Sequence, residues 1–402
     1  MDPFLGIIGL VLSFGIAMVL VIKKLNYGLA LTLGAIVLGL FFEQGPGGLL
    51  NVVYFTITDM TTLELVAAVV LIPVLAKSLV DTGLMDTLIQ GLKSKLSARA
   101  VLAIIPAAFG IFTMTGGALI SAPMIDGEGS KLEVSAEKKS IINLWFRHVW
   151  FCVSPLVPTL IIIQSMTGVS LYSIILINMP IFIVHTTVGY ILLIRPIRNN
   201  DRLKSSENLW YKVGKSSAPI VITVIVNILG LPLSLSLLTG VVSALILGKF
   251  NLRKSAKTIK DGLQWGLVVA AFGSMYFRYM IQFAGVDKFI VSYANSLGVP
   301  MIAFLTAIPL IFGFITANPT TSAIISVSLV TGYMENLTAA QISLLYVSSF
   351  MSYFVSPLHL CLILTVGYFK PKLKGVYKWL LPLAAMDYVI ALITGFLLLG
   401  LV

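Results

Sequence analysis

Two apolar stretches carry most of the polar chemistry this chain offers. The first is Ile105–Pro123, IPAAFGIFTMTGGALISAP, and the second is Ile308–Val327, IPLIFGFITANPTTSAIISV. They match at Pro106/Pro309, Phe109/Phe312, Gly110/Gly313 and Thr113/Thr316, and each is broken in its middle by small, hydroxylic or helix-breaking residues. In lipid such a break leaves backbone groups without partners unless it lies inside protein or beside a polar cavity. A broken helix also presents a new N-terminus, whose N–H groups and partial positive charge suit a carboxylate or other oxyanion. The candidate binding residues are therefore Thr113, Thr115, Gly116, Gly117 and Ser121 in one stretch. Asn318, Pro319, Thr320, Thr321 and Ser322 stand opposite. Ser154 and Ser356, each in a Val-Ser-Pro-Leu interruption of another apolar run, complete the set. The competing reading is close helix packing by small residues. It competes well at Gly117 and Ser121 and poorly at Asn318-Pro319, which cannot simply continue a helix.

Ionisable groups within apolar segments add a second layer, because a charge at membrane depth is costly and so points to function. Arg278 is expected in the middle of an apolar span, paired with a substrate anion or with a carboxylate such as Asp387. His359 follows the second Ser-Pro interruption where the first half has Val157; it suits proton coupling, substrate orientation or plain packing. Arg147 and His148 are expected near the cytoplasmic start of a span, where snorkelling to lipid phosphate would account for them. His185 is expected to be structural, and Asp126 a solvated loop carboxylate. A Na⁺ near Asn318 and Thr320 is the candidate metal. No Walker loop, HExxH, GxSxG or CxxC occurs, so neither ATP-driven transport by this chain alone nor that type of protease chemistry finds a basis. No catalytic group and no organic cofactor is expected.

The elements that must position these residues follow from composition. Of 402 residues 58% are hydrophobic and only 11% charged, whereas soluble domains carry about 25% charged residues. Windows such as Phe4–Ile22, Leu171–Ile194 and Leu380–Leu401 reach the roughly 20 residues that cross a bilayer. The net charge of +11 does not indicate nucleic acid. Of the 27 Lys and Arg, all but Lys77, Arg147, Arg278 and Lys288 fall in segments placed on one side, as the positive-inside rule requires. Two cysteines, Cys152 and Cys361, lie in apolar runs and read as buried small side chains rather than a disulfide framework or a metal cluster.

The repeat extends beyond the broken stretches. Phe151–Leu156 aligns with Tyr353–Leu358, and Gly83 with Gly285, both 202 residues apart. The expected fold is an all-α polytopic membrane protein of about ten transmembrane spans plus two re-entrant helical hairpins. Residues 1–194 form the first repeat, with its hairpin at about 100–125. Residues 195–216 form a cytoplasmic linker, and 217–402 the second repeat, with its hairpin at about 300–331. Five crossings per half is odd, so the repeats are expected to have inverted topology with both termini outside, the site lying between them near mid-membrane.

The pair FGIFTMTGGALISAPMID and INLWFRHVW resembles the prokaryotic membrane proteins grouped as domain of unknown function family 401, over most of the chain. That family is placed in the ion transporter superfamily, beside gluconate, citrate and dicarboxylate carriers. The resemblance implies ten spans, two hairpins, a homodimer and an elevator-like transport domain; it implies no substrate. The superfamily's dicarboxylate carriers place Ser-Asn-Thr at both hairpin tips for Na⁺ and carboxylate. Here Asn318-Pro-Thr-Thr stands at one tip and Thr-Gly-Gly, without Asn, at the other.

The expected function is secondary active transport of a small anion, an organic acid, across the cell membrane. Proton or Na⁺ coupling and movement of the hairpins and the two Ser-Pro spans against a scaffold of the other spans complete that expectation. An anion channel or facilitator on the same fold is the alternative, and an intramembrane enzyme a more distant one.

Overall fold

The structure is a computed structural model that describes residues 3–23, 25–111, 117–198, 209–286, 289, 296, 298–334 and 336–399. Among these residues there are helices and turns and no strand. The first half runs α1 (Pro3–Ile22), α2 (Tyr27–Phe41), α3 (Pro46–Thr58), α4 (Met60–Asp81) and α5 (Leu84–Lys95). It continues with α6 (Ala98–Gly110), α7 (Gly117–Lys131), α8 (Ala136–Arg147), α9 (Pro158–Thr167) and α10 (Leu171–Gly189), which closes in a π-helical turn, Tyr190–Ile194. The second half runs α11 (Leu209–Ile228), α12 (Leu233–Leu247), α13 (Leu252–Gly262) and α14 (Trp265–Phe283). After it come α15 (Met301–Leu305), α16 (Ala307–Thr316), α17 (Pro319–Tyr333), α18 (Ala339–Val355), α19 (Leu360–Phe369) and α20 (Leu373–Leu399).

Met60–Asp81, Leu171–Ile194, Ala339–Phe369 and Leu373–Leu398 are long and apolar enough to cross a membrane, by length and composition. Several shorter apolar helices accompany them, among them Gly28–Phe41, Leu233–Leu247 and Met301–Thr316. α6 and α7 have 13 and 15 residues, or about 20–23 Å at 1.5 Å per residue. That falls short of the roughly 30 Å hydrocarbon core. They pack antiparallel on each other, as α16 and α17 do, so each pair is a helical hairpin.

Several boundaries differ from the sequence expectation, each for a local reason. The basic segment 249–260 forms, from Leu252 on, the amphipathic helix α13, capped by Asn251 accepting from the Lys254 N–H at 2.9 Å. Its charges lie on one face, and it stands in the same order as α3 in the first half. Residues 126–140 are also largely helical: α7 runs on to Lys131, and α8 begins at Ala136 behind the Ser135 cap. Asp126 therefore lies on α7, paired with Lys139 of α8 at 2.5 Å. α11 begins at Leu209, inside the expected linker, whose residues 199–208 lie outside the described set.

Two groups of helices share the molecule. α1, α2, α3, α4 and α11–α14 form a frame in which α2 packs on α1 and α14, and α4 on α12, α13 and α14. Glu64 of α4 caps α12 across this frame, accepting from the Ser234 backbone N–H at 2.9 Å and its hydroxyl at 2.6 Å. The hairpins, α8, α9, α18 and α19 form the second group, and α10 and α20 belong with it: α20 packs on α18, α10 and α8. The closing helices thus side with the hairpins and not with the frame.

Candidate functional site

The site is built where helices stop. α8 ends at Arg147, and the chain turns through Trp150–Pro155 before α9 starts with Pro158 as its first residue. α18 ends at Val355 and α19 starts at Leu360. At each interruption the serine serves the turn itself: Ser154 Oγ accepts from the Leu156 N–H at 3.2 Å and Ser356 Oγ from the Leu358 N–H at 3.3 Å. Ser356 Oγ also donates to the Phe314 carbonyl at 2.7 Å, tying the second break to the hairpin arm α16. α8 has 12 residues, so Arg147 sits about 16 Å along it.

Each hairpin docks on its own half's interrupted helix through a matched glycine. A Cβ on Gly110 would collide with the Arg147 carbonyl, and one on Gly313 with the Ser349 carbonyl and the Ser352 hydroxyl. Gly110 and Gly313 align in sequence, and Arg147 and Ser349 follow at almost the same spacing. Only a residue without a side chain lets the two backbones approach so closely.

The second arms then cross to the other half: α7 packs against α19, and α17 against α9. Thr159 at the start of α9 and Thr320 at the start of α17 share a hydrogen bond of 2.6 Å. On the other crossing Asn143 of α8 accepts from Ser121 Oγ at 2.7 Å and donates to the Ala118 carbonyl at 3.2 Å and Thr365 Oγ1 at 3.1 Å. The N-terminal ends of α9 and α17 therefore meet, while on the other crossing Asn143 links the N-terminal end of α7 to Thr365 in the middle of α19. Asn143, Thr159 and Thr365 have no signature in the sequence beyond being polar within apolar runs. Each takes a partner from the other half of the chain, Asn143 with Thr365 and Thr159 with Thr320.

The candidates at the second hairpin tip are partly used by the fold. Ala317 turns the chain at φ +47°, Pro319 occupies the first position of α17, and Asn318 Oδ1 accepts from the N–H groups of Thr320 at 2.9 Å and Thr321 at 3.0 Å. Two of the N–H donors expected for an anion are thus already capped. Ser322 Oγ donates to the Pro309 carbonyl at 2.8 Å and Ser349 Oγ at 3.1 Å, and Ser121 is held by Asn143. Thr321 Oγ1 is buried with no partner among the described residues. Thr113, Thr115 and Gly116 lie outside the described residues, and Gly117 begins α7.

The ionisable residues depart furthest from expectation. Arg278 is not paired with Asp387. Five residues from the end of α14, it donates to the Ser165 carbonyl in the last turn of α9 at 2.8 Å, a position where a cation meets the negative end of a helix. Asp387 instead faces His185 Nδ1 at 2.6 Å, and both are buried. His185 thus has the company its sequence surroundings did not show, and Trp145 stacks on its ring at 3.8 Å and 5°. Arg147 and His148 are 3% and 1% exposed beside the first break, so snorkelling to the surface does not account for them. Arg147 donates to the Phe109 carbonyl at the end of α6. His359 is fully buried at the start of α19, its Nδ1 facing the Phe354 carbonyl at 3.2 Å.

Two concavities accompany these breaks, the smaller away from them and the larger beside the second. One of about 310 Å³, lined by Glu64, Gln164, Ser165, Ser170, Tyr172 and Asn227, sits at the far end of α9. A larger apolar groove of about 520 Å³ runs along Leu310, Ile311, Phe314, Leu381 and Ala385. Its lining is mostly hydrocarbon, with Ser352 and Tyr388 as the polar side chains.

Fold and site together define an all-helical protein rich in apolar helices, in which two hairpins each dock on one half's interrupted helix and reach to the other's. The chain belongs to the family described as protein of unknown function (DUF401), which it matches over residues 7–402. No curated protein matches it.

Proposed function

We propose that this protein is a polytopic membrane carrier of ten spans and two re-entrant hairpins, arranged as inverted repeats and related to the ion transporter superfamily. It moves a small organic anion across the cell membrane by secondary active transport, driven by H⁺ or Na⁺. The observation that carries the reading is the pair of crossed contacts, Thr159 with Thr320 and Asn143 with Thr365. They gather interrupted helices of both halves into one layer, where transporters of this architecture bind substrate. The N-terminal ends of α9 and α17 supply partial positive charge there, and Arg147 lies beside the same layer. The split between a frame and a hairpin body gives the two parts that an elevator motion requires. The unpartnered Thr321 hydroxyl and the Thr159–Thr320 pair are the best-placed substrate groups.

The test is thermal stabilisation of purified protein by mono-, di- and tricarboxylates, sugar acids and inorganic oxyanions, with and without Na⁺ and across pH. Ligand at about 100 times Kd stabilises by about 2.7 kcal/mol. One anion class is expected to raise the midpoint, Thr159→Val with Thr320→Val to abolish the shift, and counterflow in proteoliposomes to follow the same substrate. Stabilisation by cations or neutral solutes alone would overturn the anion reading. Unsaturable conductance without counterflow would replace the carrier with a channel.

A further inference from the structure

The two histidines beside the breaks come from opposite halves and meet. His148, just after α8, and His359, opening α19, lie with ring centroids 4.9 Å apart. One ring nitrogen of each and the Cys361 sulphur all lie within 4.8 Å of one another. His148 and His359 are 1% and 0% exposed.

The hydrogen bonds decide which nitrogens are available. His148 Nδ1 faces the Leu144 carbonyl at 2.7 Å, and His359 Nδ1 faces the Phe354 carbonyl at 3.2 Å. A carbonyl only accepts, so each Nδ1 carries the proton and each Nε2 keeps a lone pair. Both Nε2 atoms are buried with no hydrogen-bond partner among the described residues. A buried acceptor left unpaired costs about 1–3 kcal/mol, and here two stand beside one thiol. Imidazoles oriented by Nδ1–H to a backbone carbonyl are the usual arrangement of metal-binding histidines. Tyr353 adds a further layer, its ring 4.1 Å from that of His359.

We propose that His148 Nε2, His359 Nε2 and Cys361 Sγ form a metal site for a soft monovalent cation, Cu(I). Thiolate with imidazole is a donor set that favours copper and zinc over Na⁺, Mg²⁺ or Ca²⁺. Charge chooses between the two. One thiolate and two neutral imidazoles around Cu(I) sum to zero, whereas Zn²⁺ leaves a net positive charge in a buried place that already holds Arg147, 3% exposed. Bonds of roughly 2.0–2.3 Å in a trigonal site put the donor atoms roughly 3.5–3.7 Å apart. Donor atoms of the three residues lie within 4.8 Å of one another, so binding the ion draws the set together by about 1 Å. Because His148 belongs to the first break and His359 and Cys361 to the second, the ion joins the two interrupted helices. This assignment does not depend on the anion reading.

The experiment is titration of chelator-treated full-length protein in detergent with Cu(I) under reducing conditions, against a chromogenic Cu(I) chelator, with Zn²⁺ in a parallel titration. One equivalent of Cu(I) is expected, with an X-ray absorption edge and shell fitting two nitrogens and one sulphur. Cys361→Ser and His359→Gln are each expected to weaken binding at least tenfold while the protein stays monodisperse; Cys152→Ser is expected to bind as the wild type does. Absence of stoichiometric Cu(I) binding, or binding unchanged in folded Cys361→Ser, overturns the site. Stoichiometric Zn²⁺ with Cu(I) excluded overturns the choice of metal and the charge argument behind it.

Discussion

His185 shows what the interior asks of a single side chain. Its Nε2 faces the Trp145 carbonyl at 3.1 Å and its Nδ1 faces Asp387 Oδ2 at 2.6 Å. The first contact requires N–H, so one further proton is shared between Nδ1 and the carboxyl group. The pair is neutral as a whole wherever that proton sits. Removing one partner strands the other, and breaking a buried pair costs about 3–5 kcal/mol. His185→Ala and Asp387→Ala are each expected to lose on that order in detergent unfolding, and the double variant less than their sum. Additive losses would show that the two do not act as a unit. Nothing local in the sequence announces this contact: His185 lies in α10 and Asp387 in α20. The same holds for His148 with His359 and Cys361. A residue's type is legible in the chain, while its partner 202 or 211 positions away depends on how the halves fold together.

At the scale of elements the sequence is far more informative. The hairpins announce themselves by apolar runs broken at small residues, and the Ser-Pro interruptions by a recurring tetrapeptide. Periodicity shows even where composition is highly charged: the helical spacing of the basic residues of 252–262 makes α13 a counterpart of α3 in chain order. The aligned glycines lead to a prediction at this scale. Gly110→Ala and Gly313→Ala each force a methyl group against backbone carbonyls, and overpacking of this kind costs about 1–3 kcal/mol. Both are expected to loosen their own hairpin and raise its hydrogen exchange, leaving the frame helices α2 and α14 protected. Uniform loss of protection over the whole chain would mean that hairpin and frame are one cooperative unit.

At the scale of the molecule, the proposed inverted repeat fixes which side each segment faces. Alkaline phosphatase fused after the last residue is expected to be active, and fused within 199–208 inactive, because the basic linker stays in the cytoplasm. Activity at both fusions would leave an even number of crossings in the second half and end the inverted arrangement. The charge distribution and the repeat are both readable in one dimension. The grouping of α10 and α20 with the hairpin body is not, since an apolar helix carries no mark of which neighbour it joins.

The crossing of α7 onto α19 also sets a schedule for synthesis. Asn143 and its partner Thr365 are 222 residues apart. At roughly 5–20 residues per second, the first hairpin emerges from the ribosome roughly 10–45 s before the helix that completes its contacts. For that interval Asn143 has Ser121 as a partner but must be sheltered by something other than Thr365. Slowed elongation in the second half, or a chain severed in the linker, is therefore expected to expose the first hairpin to proteolysis before any defect in the second half is seen.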